Sequence, residues 1–337
     1  MLNLTLYYDP KLENSQRLFE DLERIKHQSE FHITRIDVTK DLPLYGDMGP
    51  FPVIKIGPYT LQGEITAQQI QVAVGAAMDR DRNLRQLGDK RYEKKINRGK
   101  KLSGPDRITL LVSKKYMFLF NFVVFLYIGL PFLAPVLMNA GATFPAQIIY
   151  KVYRPLCHQL TFRSFFLYGD QLVYPRELAQ VPDVIPYEEY FHQDHLDINF
   201  ARDFLGNEQA GYKVALCERD IAIYGSFLIF GILFQLFGRK FRRIPWYIWI
   251  LVGIIPMGLD GTSQLPGLMA NILPAWVPLR ESTPIIRVIT GVLFGITTAW
   301  YLYPIVEETM NDTRLLLTQK KNYVEQSKVE AETEVDA

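Results

Sequence analysis

The sequence predicts a two-part chain: a small α/β domain at the N-terminus, then an all-α membrane bundle of about four transmembrane helices and one interfacial helix. Three observations carry this expectation. Charged residues crowd into residues 1–115 and 306–337, while four stretches between them carry almost none. The first 80 residues alternate short β-rich runs with segments of helical periodicity. Mean hydropathy is 0.00 although 22% of the residues are charged, a balance that a chain divided between soluble and apolar parts produces.

A length of 337 residues suits two domains at ~100–200 residues each. The net charge of +1 gives no case for nucleic-acid binding. The two cysteines, Cys157 and Cys217, both lie in the membrane half, which excludes a disulfide-rich scaffold and a four-cysteine zinc site. The N-terminus lacks the basic-then-apolar pattern of a signal peptide, so residues 1–100 are expected on the side of synthesis.

Leu2–Tyr8 is β-rich, and over residues 13–28 Leu18, Phe19, Leu22 and Ile25 recur at the spacing of an amphipathic helix. Residues 31–38 alternate as a strand, and residues 52–56 and 59–61 flank the Gly57-Pro58 turn as a hairpin. Residues 65–78 read as a second helix capped by Thr66. This β-α-β-β-β-α order over residues 1–80 resembles the thioredoxin/glutaredoxin fold. Leu6-Tyr7-Tyr8-Asp9-Pro10 is similar to the strand entering that fold's redox turn, and Phe51-Pro52-Val53 to the turn carrying its cis-proline, so Pro52 is the expected cis residue. Where the family places Cys-x-x-Cys, this chain has Leu12-Glu13-Asn14-Ser15, a degenerate motif with Leu12 and Ser15 at the thiol positions. Disulfide exchange requires a thiolate, and residues 1–156 contain no cysteine. The redox reading of the domain fails, leaving a docking or scaffold module.

Residues 81–115 form a basic linker. From Asp79 through Lys115 there are thirteen Lys or Arg against five Asp or Glu. Directly ahead of an apolar span, such a run anchors on anionic headgroups, each basic residue contributing ~1 kcal/mol near the surface.

Residues 116–306 form the membrane domain. A crossing takes ~20 mostly apolar residues, with ~17 as the lower bound. Residues 117–138 carry no charge, and residues 221–237 lie uncharged between Asp220 and Arg239. Residues 245–259 bring Trp246, Tyr247 and Trp249 to one end, and residues 288–306 place Trp300, Tyr301 and Tyr303 near their exit, as interfacial belts do. The linker and the Arg239, Lys240, Arg242, Arg243 loop are basic, whereas residues 139–220 hold seven basic and eleven acidic residues, and residues 259–284 hold only Arg280 as a Lys/Arg. The positive-inside rule places the first two in the cytoplasm and the others outside. The expected protein is therefore multi-pass in the cell membrane, with the N-terminal domain and the tail, residues 307–337, cytoplasmic. The Glu/Ala-rich end of that tail is expected to be disordered. Residues 143–168 mix an apolar face with Lys151, Arg154, His158 and Arg163, the pattern of an interfacial helix. Residues 171–213 read as a polar extracytoplasmic insertion in which His192 and His195 are solvated.

Four polar clusters flank the spans: Cys157-His158-Gln159 with Arg163-Ser164; Cys217-Glu218-Arg219-Asp220; Asp260-Gly261 with Gln264; and Arg280-Glu281-Ser282 followed by Arg287. With this topology all four reach one membrane face, where ionisable groups pair, line water or mark a site. In order and spacing they resemble a family of predicted bacterial and archaeal integral membrane proteins known only as a domain of unknown function. That family's signature is Cys-His-Gln, Arg-Ser-Phe, Cys-x-Arg-Cys-x-Gly-Ile-Tyr, Asp-Gly with Gln, and an Arg before a Gly-rich span. Here these stand as Cys157-His158-Gln159, Arg163-Ser164-Phe165, Cys217-Glu218-Arg219-Asp220 with Ile223-Tyr224-Gly225, Asp260-Gly261-Thr262 with Gln264, and Arg287 before Gly291 and Gly295. The resemblance spans about residues 145–300 and departs twice: Asp220 replaces the second cysteine of Cys-x-Arg-Cys, and residues 171–213 are inserted. It implies no activity.

Cys217 and Asp220, three apart, share a face if helical. With Cys157 and His158 they form a donor set suited to zinc or another divalent metal. A Cys157–Cys217 disulfide on an oxidising side is the alternative, two unlinked thiols a third, and the sequence leaves all three open. Arg163, Arg219, Arg280 and Arg287 match Glu218, Asp220, Asp260 and Glu281 in number, with Gln159 and Gln264 beside them. Ion pairing that locks helix ends is the plain reading, and a vestibule for a small anionic or zwitterionic ligand the functional one. Gly291 and Gly295 carry small-residue helix packing. The first functional expectation is a non-enzymatic scaffold or assembly protein in the lipid bilayer, with a protein partner at the N-terminal domain. A metalloprotein or thiol-redox protein using Cys157, His158, Cys217 and Asp220 is the alternative. A small-solute transporter is a third, disfavoured by four spans without an internal repeat.

Overall fold

The computed structural model describes residues 2–27, 31–41, 45, 48–87, 101–193, 195–268, 276 and 278–335. It divides into a unit of Met1–Lys114 with Thr309–Ala337 and a unit of Lys115–Glu308.

The first unit begins with β1 (Leu2–Tyr8), α1 (Glu13–Lys26), β2 (Phe31–Asp37), β3 (Val53–Ile56), β4 (Tyr59–Gln62) and α2 (Ala67–Gln86). The strands make one mixed sheet in the order β2-β1-β3-β4. β1 and β2 run parallel and the other neighbours antiparallel. A parallel pair needs a crossover, which α1 supplies. Leu18, Leu22 and Ile25 of α1 and Ile70, Val74 and Ala77 of α2 bury against Leu4, Leu6, Ile33 and Ile54 of the sheet. Thr66 closes α2 in a reciprocal capping box with Gln69. The Phe51–Pro52 peptide bond is cis. Leu12 is the N-cap residue of α1 and Ser15 is buried in its first turn, so the degenerate motif starts a helix. Residues 88–100 of the basic linker fall outside the described residues.

Two long helices contribute to both units, α3 (Gly104–Asn139) and α7 (Pro284–Val335). Side chains alternate across a strand, so Tyr7, Ile36 and Val53 face away from α1 and α2. They cluster with Val38 and Tyr45, and Leu315 of α7 packs against this second core. Within the same unit Lys320 pairs with Asp106 at 2.6 Å, Arg314 Nη1 donates to the Ser113 carbonyl at 2.8 Å, and Tyr323 meets the edge of His32 at 5.3 Å. α7 is helical through Val335. After Pro304 the tail holds neither Gly nor Pro and is rich in strong helix formers.

The second unit completes the bundle with α4 (Thr143–Tyr153), α5 (Glu218–Leu236) and α6 (Trp246–Gly267). Four helices are long and apolar enough to cross a bilayer: α3, α5, α6 and the Pro284–Gln326 part of α7. α5, with 19 residues, rises ~28 Å, close to the ~30 Å hydrocarbon core. Phe118, Phe122, Phe125, Ile229 and Leu251 stand exposed on these helices, as lipid-facing residues do. α6 runs beyond the expected end at residue 259 to include Asp260 and Gln264. A π-helical turn at Trp249–Ile254 precedes Pro256, which has no N–H to continue the regular ladder. A Cβ on Gly295 would lie 2.5 Å from the Ile223 carbonyl oxygen, and one on Gly291 would lie 2.9 Å from that of Arg219. These two glycines let α5 and α7 touch backbone to backbone.

Residues 171–213 form a folded insertion on which His192 and His195 are exposed. With flanking residues they build a three-stranded antiparallel sheet, order β5-β7-β6, from β5 (Ser164–Leu167), β6 (Gly206–Asn207) and β7 (Gly211–Cys217). Its core holds Phe162, Phe166, Tyr174, Tyr187 and Ala201. Aromatics dispersed among acidic residues carry neither period 2 nor 3.6, which is why the sequence pattern hides this core.

Candidate functional site

The site starts where α4 ends. After Tyr153 the chain turns through Pro155 and continues without regular secondary structure. Cys157 and Gln159 are buried and His158 between them is exposed. Pairing of Ser164 with Cys217 brings the end of β7 to this segment. Cys217 is the N-cap residue of α5, and Asp220 lies in its first turn. The Cys157 and Cys217 sulfurs and a carboxylate oxygen of Asp220 lie within 4.8 Å of one another. Both thiols are free, and the Cys217 N–H donates to Cys157 Sγ at 3.3 Å. His158 is not in this group. Of the four residues expected from sequence the structure brings three together, and His158 is exposed between buried Cys157 and Gln159.

The hydrogen bond with the Cys157 thiol, followed by burial and the nearby Asp220, pushes the Cys217 thiol well above its ordinary range.

Gln159 serves the framework instead of the ionic cluster. It sits at φ 51° and its Nε2 donates to the Tyr150 and Ala215 carbonyls at 3.0 and 3.1 Å. Lys213, which the sequence reading does not single out, is fully buried. Its Nζ donates to the Arg202, Gln159 and Ala201 carbonyls at 2.7, 2.8 and 3.4 Å. Burial pulls its ammonium down to about 7. The one signal in the sequence was a lysine flanked by Tyr212 and Val214 in a β-rich run.

The remaining cluster residues form two ionic groups. In the first, Glu281 accepts from Arg163 at 2.7 and 3.0 Å and from Arg287. Arg287 also donates to Glu218 at 3.2 Å and to the Phe162 carbonyl at 3.1 Å. The Glu281 and Arg287 side chains are 0% and 3% exposed. In the second, Asp260 pairs with Arg219 and, at 3.3 Å, with Arg280, while Gln264 Nε2 donates to the Asp260 carbonyl at 2.8 Å and its carboxylate at 3.2 Å. Four guanidiniums thus meet three carboxylates. Asp220 belongs to the thiol group instead.

Four apolar helices long enough to span define an integral membrane protein, associated with a lipid bilayer. Residues 208–301, which include Cys217, Asp220, Asp260, Glu281 and Arg287, match the family described as Predicted membrane protein (DUF2085). The chain is also similar to Uncharacterized protein MJ1492 of Methanocaldococcus jannaschii, at 29% identity over 204 residues, which is 58% of this chain and 95% of that protein. No solved structure matches.

Proposed function

We propose that this integral membrane protein holds a borderline or soft divalent metal, zinc by its donor chemistry, at an extracytoplasmic site made of Cys157, Cys217 and Asp220. The observation that carries the reading is the convergence of two sulfurs and a carboxylate within 4.8 Å. Thiolate and carboxylate donors suit such an ion, and three protein ligands leave a fourth position for water or a ligand. The basic loops support an orientation with the N-terminal domain and tail in the cytoplasm of a cell-membrane protein. The β-α-β-β-β-α order supports a thioredoxin-like N-terminal domain. Its first helix starts without a thiol, so it serves as a docking module for a protein partner.

A second reading, a scaffold or assembly protein without a metal, is favoured by the ion pairs. Four arginines and three of the four carboxylates of the motifs pair with one another. One experiment separates the two: metal content and free-thiol titration of the detergent-purified full chain, for wild type, Cys217→Ser, Asp220→Asn and His158→Ala. The metal reading expects stoichiometric metal in wild type and His158→Ala, and loss in the other two. Metal-free wild type whose thiols titrate only after reduction identifies a disulfide and removes the metal reading.

A further inference from the structure

α4 meets three environments around its circumference. At ~100° per residue, Ala146, Tyr150 and Tyr153 take one side, buried in a cluster with Cys157, Ala215 and Leu216. Gln147, Lys151 and Arg154 form a polar edge, where Arg154 pairs with Asp203 at 2.7 Å. Phe144, Ile148 and Val152, spaced four apart, form a third side that is apolar and exposed. The Tyr153 carbonyl accepts from the Leu156 and Cys157 N–H groups at 3.0 and 2.9 Å, a further turn that leaves Leu156 exposed as well. A helix packed on protein and bathed in water needs only the first two sides.

The place of α4 in the chain says what covers the third. Residues 117–138 of α3 carry no charge and rise ~33 Å, enough for the ~30 Å hydrocarbon core. Asn139, the last residue of α3, therefore stands at the boundary of that core. Leu130, Leu133 and Val136 are exposed, so lipid-facing side chains run to the end of the span. α4 begins four residues after Asn139, past a turn at Gly141 with φ 78°. A helix starting at this depth with an apolar side and a polar edge lies in the interface plane, its apolar face ~5–10 Å into the headgroup/acyl boundary. Lys151, exposed beside Phe144 in helical projection, lays its stem along the apolar side and leaves its ammonium among the phosphates.

We infer that α4 is an interfacial helix whose Phe144, Ile148 and Val152, with Leu156 in the next turn, enter the acyl region of one leaflet, so that this surface has the phospholipid bilayer as its partner. The interfacial segment expected over residues 143–168 narrows to residues 143–156. Two contacts tie the helix to the thiol segment. The Tyr150 carbonyl accepts from Gln159 at 3.0 Å, and the Tyr150 hydroxyl donates to the Lys213 carbonyl of β7 at 2.5 Å. Cys157 directly follows Leu156 and bonds the N–H of Cys217, the N-cap residue of the spanning helix α5. The thiol pair therefore sits at the headgroup level of that leaflet. The inference rests on the spanning helices and holds whether or not the thiols bind metal.

The test is photocrosslinking of the full chain reconstituted in phosphatidylcholine–phosphatidylglycerol liposomes. p-Benzoylphenylalanine replaces, one at a time, Phe144, Ile148, Val152, Gln147 and, as a lipid-facing reference on α3, Phe125. Intact-mass spectra read the phospholipid adducts, and elution volume and thermal midpoint verify that each variant is folded. The probe at Phe144, Ile148 and Val152 should give adduct yields within about twofold of the Phe125 reference, and at Gln147 roughly fivefold less. Yields at Phe144, Ile148 and Val152 no higher than at Gln147 would overturn the inference. A crosslinked dimer in place of the lipid adduct would also overturn it, because a second copy would then cover this side.

Discussion

Arg287→Met tests whether the first ionic group holds the membrane unit together. Methionine keeps the length of the side chain and removes its charge. Arg287 touches Glu218 at 3.2 Å, Glu281, and the Phe162 carbonyl at 3.1 Å. Glu281 would keep Arg163 at 2.7 Å. Glu218, whose side chain is 1% exposed, would keep no cation among the described residues. The expected penalty is that of a buried pair cut on one side, ~3–5 kcal/mol. At ~2–4 °C per kcal/mol for a unit of this size, the midpoint should fall by roughly 6–20 °C. Arg163→Met should cost about 1.5 kcal/mol, because Arg163 is partly exposed and Glu281 retains Arg287. Adding Glu218→Gln to Arg287→Met removes the stranded charge and should restore a large part of the loss, a coupling of ~0.5–3 kcal/mol. Thermal unfolding of the detergent-purified variants by tryptophan fluorescence reads all four proteins. The reasoning is refuted if Arg287→Met costs no more than Arg163→Met, or if the double variant is no more stable than Arg287→Met alone.

Three other outcomes follow from the packing. Gly295→Ala places a methyl 2.5 Å from the Ile223 carbonyl and should cost ~1–3 kcal/mol, whereas Gly225→Ala, with open space around it, should leave the same melting curve nearly unchanged. Leu315→Asp puts a carboxylate against Tyr7, Val38 and Tyr45, so amide exchange in β1 and β2 should speed up, and unchanged protection would detach the tail from that core. The pKa of Lys213 falls from 10.5 to about 7 on folding, so between those values the unfolded chain binds more protons and stability rises with pH. Lys213→Met should flatten that rise, and an identical slope in both proteins would show that the proton sits elsewhere.

What could be read in advance separates by the range of the interaction involved. The helices of the bundle were legible because a bilayer demands ~20 apolar residues in succession, a purely local requirement that residues 117–138 meet. The strands around Leu6 and Ile54 showed for a similar reason, as short β-rich runs bounded by turns. The aromatic core around Phe166 and Tyr174 depends on residues distant in sequence meeting with no period to announce them. Partner choice among the charges was equally hidden: composition matched four arginines to four carboxylates, but α5 directs Glu218 and Arg219 into different groups and Asp220 to the thiols. The Cys-His-Gln triplet makes the distinction sharpest. Its spacing suggested two adjacent ligands, yet the irregular segment, with Gln159 at φ 51°, buries Cys157 and Gln159 and leaves His158 exposed. A motif's residue types therefore named the available chemistry, while the local backbone conformation decided which of them could act together.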